Sequence, residues 1–177
     1  MPIDVSYLNE RPEPSEHALY FGNYISLVPN RPLLDQMNDQ IAEVKRVFAP
    51  VAEARSNQID APYTWSLKQV LGHVIDGERV FSYRALRIGS GDLTPLPGFD
   101  QDAMVAGMDY TQVAFDELLD EWIHLRKSIV AMFSRFDERA LQHIGSSDGK
   151  PVSARAIAYI IVGHTIHHLE IARKRLL

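Results

Sequence analysis

The sequence predicts an all-α protein built as a four-helix bundle. Two observations carry that expectation. Four long stretches repeat apolar residues at three- and four-residue steps, the mark of one buried helical face each, and capping residues or Pro/Gly segments separate them. The length and composition suit one such unit: 177 residues, 46% hydrophobic and 23% charged, enough to bury roughly 70% of the unfolded surface around one core. No repeat or linker divides the chain, so residues 1–177 are expected to form a single domain.

Residues 1–29 hold four prolines, Pro2, Pro12, Pro14 and Pro29, among scattered aromatics. They predict an irregular N-terminal arm with a turn or two of helix, packed by Tyr20, Phe21, Tyr24 and Ile25. The first long helix begins after Pro32, where Leu33, Leu34, Met37, Ile41, Val44 and Phe48 share a face, and should fade near Asn57. NQIDAPYTWS is a connector, and Thr64 or Ser66 is placed to cap a second helix that runs to about Ile88 and ends at GSGD. A loop follows, TPLPGFDQDAM, with a helical turn around Asp102 to Gly107. Thr111 is the expected cap of a third helix, whose stripe of Leu118, Trp122, Leu125, Ile129, Met132, Phe133 and Phe136 lasts to Asp137. RALQHIGSSDGKPVS reads as a loop, and Ser153 caps a last helix reaching the C-terminus. Arg173, Lys174 and Arg175 fall in its final turn, where cations complement the helix dipole.

Composition excludes several classes of function. Eighteen basic against 23 acidic residues leave a net charge of −5, which attracts neither nucleic acid nor an anionic membrane. The longest strongly apolar run, Ala154 to Gly163, is interrupted by Arg155 and too short to span a bilayer. MPIDVSYLNERPEP lacks the basic and apolar regions of a signal peptide, so a cytoplasmic location is expected. With no cysteine, disulfides, cysteine nucleophiles and thiolate metal sites are impossible, and any metal must take nitrogen or oxygen ligands.

The chemistry concentrates in histidines. His164 and His168 are four apart and lie within about 20° of the helical line through Ile157, Ile160, Ile161, Ile171 and Ala172. Two imidazoles side by side on an aliphatic stripe would each cost on the order of 1–3 kcal/mol if left unpartnered. A shared metal ion removes that cost. His73 sits on the buried stripe of the second helix with Val70, Gly77 and Val80, and Gly77 one turn on leaves room beside its ring. Three histidines on two helices, with no fourth protein ligand, match an open site completed by water or substrate. Asp76 flanks the stripe, placed to orient a ligand or a bound water. His167 is a boundary residue about 80° off the line, His124 should be solvated, and His17 and His143 receive no role. Arg84 faces inward three turns beyond His73; it either extends its charge to solvent or contacts a substrate anion. Trp65 and Trp122 read as core or interface residues. Glu78 and Glu170 fall off the histidine stripes, which argues against a di-iron carboxylate bundle.

YISLVP near the N-terminus, WSLKQVLGHVIDGERVF on the second helix and GHTIHHLEIARKRL at the end resemble the DinB/YfiT-like superfamily over nearly the whole chain. That resemblance implies a bundle in up-down-down-up order, a homodimer, and a site for nickel, zinc, iron or a similar divalent ion on His73, His164 and His168. It further implies that the ion activates an exogenous low-molecular-weight thiol for transfer or isomerisation, or water for hydrolysis, on a small-molecule substrate. The alternative is a non-catalytic metal-binding module of a stress response. A solvent-open pocket at the site would favour the enzyme, and a closed site with a fourth protein ligand would favour the module.

Overall fold

Each long helix starts where a cap is available, and two of those caps come from other parts of the chain. Residues 4–177 are described by a computed structural model. Helix α1 (Gly22–Leu27) closes the arm, after three single turns of 3₁₀ helix, and α2 spans Leu33–Phe48. The first amide of α2 donates to Asn9 Oδ1 of the arm at 2.9 Å. After α2 the chain makes the short α3 (Glu53–Ser56) and then α4 (Leu67–Gly89), which opens on a reciprocal capping box between Ser66 and Gln69. Helix α5 (Gln101–Gly107) is the turn expected in the Pro/Gly loop, and α6 spans Phe115–Phe133. Then come α7 (Glu138–Gln142), a two-stranded antiparallel hairpin of β1 (Ile144–Ser147) and β2 (Lys150–Ser153), and α8 (Ala154–Leu176), with Ser153 as its cap.

Several boundaries depart from the sequence reading. The first long helix stops at Phe48 and not near Asn57; the remaining turn is α3. Thr111 does not cap the third helix. It lies in a 3₁₀ turn closed by Asp109, and α6 begins at Phe115, whose amide donates to Glu53 Oε2 at 2.8 Å. That helix ends at Phe133, four residues before Asp137. RALQHIGSSDGKPVS is not a plain loop: it holds α7 and the hairpin, turned by Asp148 and Gly149 at positive φ.

Side-chain pairings give the helix directions. Glu78 and Gly89 of α4 meet Trp122 and Phe136 in and just after α6, so these two run parallel. Gly77 and His73 meet His164 and His168, so α4 and α8 are antiparallel. Gln40 and Glu43 of α2 bond to Val162 and Arg173, which makes α2 parallel to α8. The order is up-down-down-up, and the long crossover from Ser90 to Ala114 is what two consecutive parallel helices require. Two apolar clusters fill the bundle, one around Met37, Phe81, Phe133 and Ile157, the other around Val44, Leu71, Trp122 and Leu169. A buried polar layer of Gln40, Glu78, Arg126 and Thr165, one residue from each long helix, lies between them. Among the described residues no helix is long and apolar enough to cross a membrane.

A candidate metal centre

Antiparallel packing of α4 on α8 brings His73 against His164 and His168, all three buried. Their Nε2 atoms converge: His73 to His164 is 3.0 Å and His168 to His164 is 3.1 Å. Gly77 makes room, since a β-carbon there would sit 3.2 Å from His164 Cε1. Burial pushes the His73 imidazole down to about 4, and it holds those of His164 and His168 well below their ordinary range, so all three rings are neutral.

Hydrogen bonding within the trio cannot satisfy it. The Nε2 of a neutral imidazole either donates one proton or accepts at one lone pair, and that of His164 faces two neighbours. His164 Nδ1 and His168 Nδ1 are likewise buried without a partner among the described residues. A divalent ion fits this donor set, because it would accept all three Nε2 lone pairs and leave each Nδ1 carrying the proton. The spacing agrees with nitrogens about 2.0–2.1 Å from a common centre.

Aromatic rings hold the imidazoles in place. Trp65 lies 5.0 Å from the His73 ring, and Tyr24 and Phe81 lie 5.3 Å and 5.8 Å from that of His164. A cavity of about 310 Å³ opens beside His73 and His164, walled by Tyr20, Phe21, Tyr24, Phe81 and Phe99 with Gln101 at its edge. A second hollow of about 270 Å³, lined by Tyr63, Trp65 and Arg175, reaches His168.

The other residues singled out in the sequence lie elsewhere. His167 is half-buried beside Tyr24, and its ring stacks edge-on with that of His168. His124 is exposed, bonded to the Asp120 carbonyl; His17 and His143 contact the carbonyls of Ala18 and Gly89. Asp76 bonds no histidine: it accepts from Tyr110 Oη at 2.6 Å and Arg79 at 3.2 Å, and influences His73 only through its charge. Arg84 is buried against Phe81 and Phe99 and does not reach out to solvent at the end of the bundle. Trp122 is a core residue, whereas Trp65 is half-buried over the site.

Sequence reasoning missed the support beneath the trio. Glu78 is off the histidine stripe, as expected, but it is fully buried on the face of α4 that meets α6 and ion-paired with Arg126. It also accepts from Trp122 Nε1 at 2.9 Å and from Thr165 Oγ1 at 3.1 Å, which ties the layer to the residue after His164. A signal existed: Arg126 falls on the apolar stripe one turn beyond Trp122, and a cation there needs a buried partner.

The architecture is shared with solved structures. YfiT from Bacillus subtilis, described as a probable metal-dependent hydrolase with an unusual four-helix bundle topology, superposes with a TM-score of 0.73 at 13% identity, covering 94% of this chain and 91% of its own. The mycothiol-dependent maleylpyruvate isomerase superposes with a TM-score of 0.65 at 16% identity; the match covers 81% of this chain and 61% of the isomerase. No curated protein sequence matches the chain. The profile of the DinB superfamily matches residues 33–172, from the start of α2 to the last turns of α8 and through all three clustered histidines, and the chain belongs to that superfamily.

Proposed function

We propose that the protein is a metal-dependent enzyme in which His73, His164 and His168 hold one divalent transition-metal ion, such as nickel, zinc or iron. The observation that carries this reading is the convergence of three neutral Nε2 atoms at the wall of an open, aromatic-lined cavity. When bound, the ion supplies a Lewis acid that lowers the pKa of a thiol or water beside it. The chain supplies the rest. The three imidazoles fix the position of the charge, Trp65, Tyr24 and Phe81 keep their rings from turning, and the cavity walls exclude bulk water from a small-molecule substrate. Without cysteine, the nucleophile is exogenous: a low-molecular-weight thiol or water. One structural relative is described as a probable metal-dependent hydrolase and another as a mycothiol-dependent isomerase, and both activities suit a charge held at the edge of a cavity. The open cavity favours this reading over that of a module whose ion only stabilises the bundle.

Elemental analysis of untagged protein should find about one ion per chain, lost in His73→Ala, His164→Ala and His168→Ala and kept in His124→Ala. Loaded protein should then turn over an electrophile with a small thiol, or cleave an ester or amide. Full occupancy in His164→Ala would refute the three-histidine assignment.

A further inference from the structure

Among the described residues five lysine and arginine side chains are buried, and four of them are neutralised. Lys68 pairs with Glu53, Arg126 with Glu78, Arg155 with Glu16 and Arg175 with Asp60. Arg84 is the exception: it is 6% exposed and has no ion pair among the described residues. Its one hydrogen bond runs from Nη2 to the Pro97 carbonyl at 2.8 Å. Among the described residues Nε and Nη1 have no hydrogen-bond partner, and neither is completely sealed from solvent. Burial depresses the guanidinium's pKa, and the carboxylate that opposes this, Asp148, acts only at a distance. An arginine desolvated this far is normally matched by an anion.

Its position says where such an anion would lie. Arg84 lines an apolar groove of about 350 Å³ formed with Val80, Leu96, Pro97 and Phe99, and Phe99 is also a wall of the cavity beside the histidines. Helical side chains lean toward the N-terminus, which on α4 is toward His73. The guanidinium carbon lies 6.0 Å from the Phe81 ring centre, and that ring lies 5.8 Å from the His164 ring. The same carbon lies 5.3 Å from the Phe99 ring centre, and the two rings are 6.4 Å apart, so Phe81 and Phe99 flank the guanidinium together.

We propose that Arg84 is the specificity-determining residue for a carboxylate-bearing substrate, whose anionic end sits on its free N–H groups and whose apolar body lies along Phe99 toward the histidines. A single cation matches a monoanion. The neighbouring Arg79 is already engaged by Asp76 and Glu121, so no second charge is free for a phosphate dianion. This assignment rests on the reading of the histidine cavity as an active site, but its test does not require the metal.

Binding of 4-phenylbutyrate and its neutral amide, 4-phenylbutyramide, is measured by calorimetry on the full chain, with and without chelator. The acid should bind at least about tenfold more tightly than the amide, as a charged hydrogen-bond pair in an apolar setting provides. Arg84→Gln should abolish the preference, and Arg84→Lys, which keeps the charge if Arg84→Gln fails to fold, should retain most of it. Equal affinities in the wild type, no binding of either compound, or a preference that survives Arg84→Gln would overturn the proposal. A preference that disappears in Arg84→Gln in a protein that binds no metal would instead refute the metal reading and leave the carboxylate site standing.

Discussion

Single atoms decide whether α8 can carry the site at all. Gly163 lies beside His164, and a β-carbon there would come within 2.0 Å of the Tyr24 carbonyl oxygen of α1. That neighbour is backbone, so no side-chain rotation relieves the clash. Gly163→Ala should therefore destabilise by at least about 2 kcal/mol, even though alanine favours the helix by about 1 kcal/mol; chemical denaturation measures it. Because Tyr24 packs on His164, the same variant should also bind metal less tightly. The Glu78–Arg126 pair poses a second residue-scale question. Each partner buries a full charge, so Arg126→Met or Glu78→Leu alone should cost about 3–5 kcal/mol, while the double substitution should recover much of that. A double variant no more stable than the singles would show that the polar layer, with Gln40 and Thr165, acts as one inseparable network.

At the scale of elements, the arm is tied to the bundle by specific bonds. Glu16 accepts from Ser153 at 2.7 Å and from Arg155, while Arg11 donates to the carbonyls of Ile25 and Val28 at 2.5 Å and 2.6 Å. Tyr159 Oη reaches the Asn9 carbonyl at 2.9 Å. The arm thus positions α1, whose Tyr24 lines the cavity, and Asn9 caps α2. Glu16→Ala leaves Arg155 buried with only the exposed Glu10 for a partner, at 3.4 Å. It should lower the melting temperature by several degrees and speed limited proteolysis before Pro29. Cleavage at the wild-type rate would mean that these bonds contribute little.

For the whole molecule, the neutral histidines set a pH dependence. Without metal, the unfolded chain takes up protons on these imidazoles below their ordinary value of 6.5, whereas the folded His73 resists until about 4 and its partners until well below 6.5. The unfolded state binds more protons across that window. Stability is therefore fully present above about pH 6.5 and falls with acidification toward pH 4. Thermal melts of chelated protein should show this decline, and it should be shallower in His168→Leu. We further propose that the chain melts as one domain and associates as a homodimer. Tyr83, Leu86 and Leu93 are exposed large apolar residues available for such a contact. Sedimentation at micromolar concentration should give twice 20.0 kDa, and a purely 20.0 kDa species would exclude the dimer.

The four helices and the convergent histidines were legible in the sequence because both follow from the 3.6-residue period: His164 and His168 share a face by spacing, and His73 shares one with Val70 and Gly77. Caps formed by neighbouring residues, Ser66 with Gln69 and Ser153 with Ala156, were legible for the same reason. Caps borrowed from afar were not. Asn9 on α2 and Glu53 on α6 come from residues 24 and 62 positions away, so Thr111 looked like the better start for the third helix. A single-stripe reading also gives each helix one buried face, but α4 packs against both α8 and α6 and buries two. Glu78 lies on the second, and only the tertiary structure joins it to Arg126. The same holds for Arg84: periodicity turns it inward, but whether a buried cation has a counter-charge depends on chain segments far apart in sequence, and here, among the described residues, the fold supplies the Pro97 carbonyl and no carboxylate.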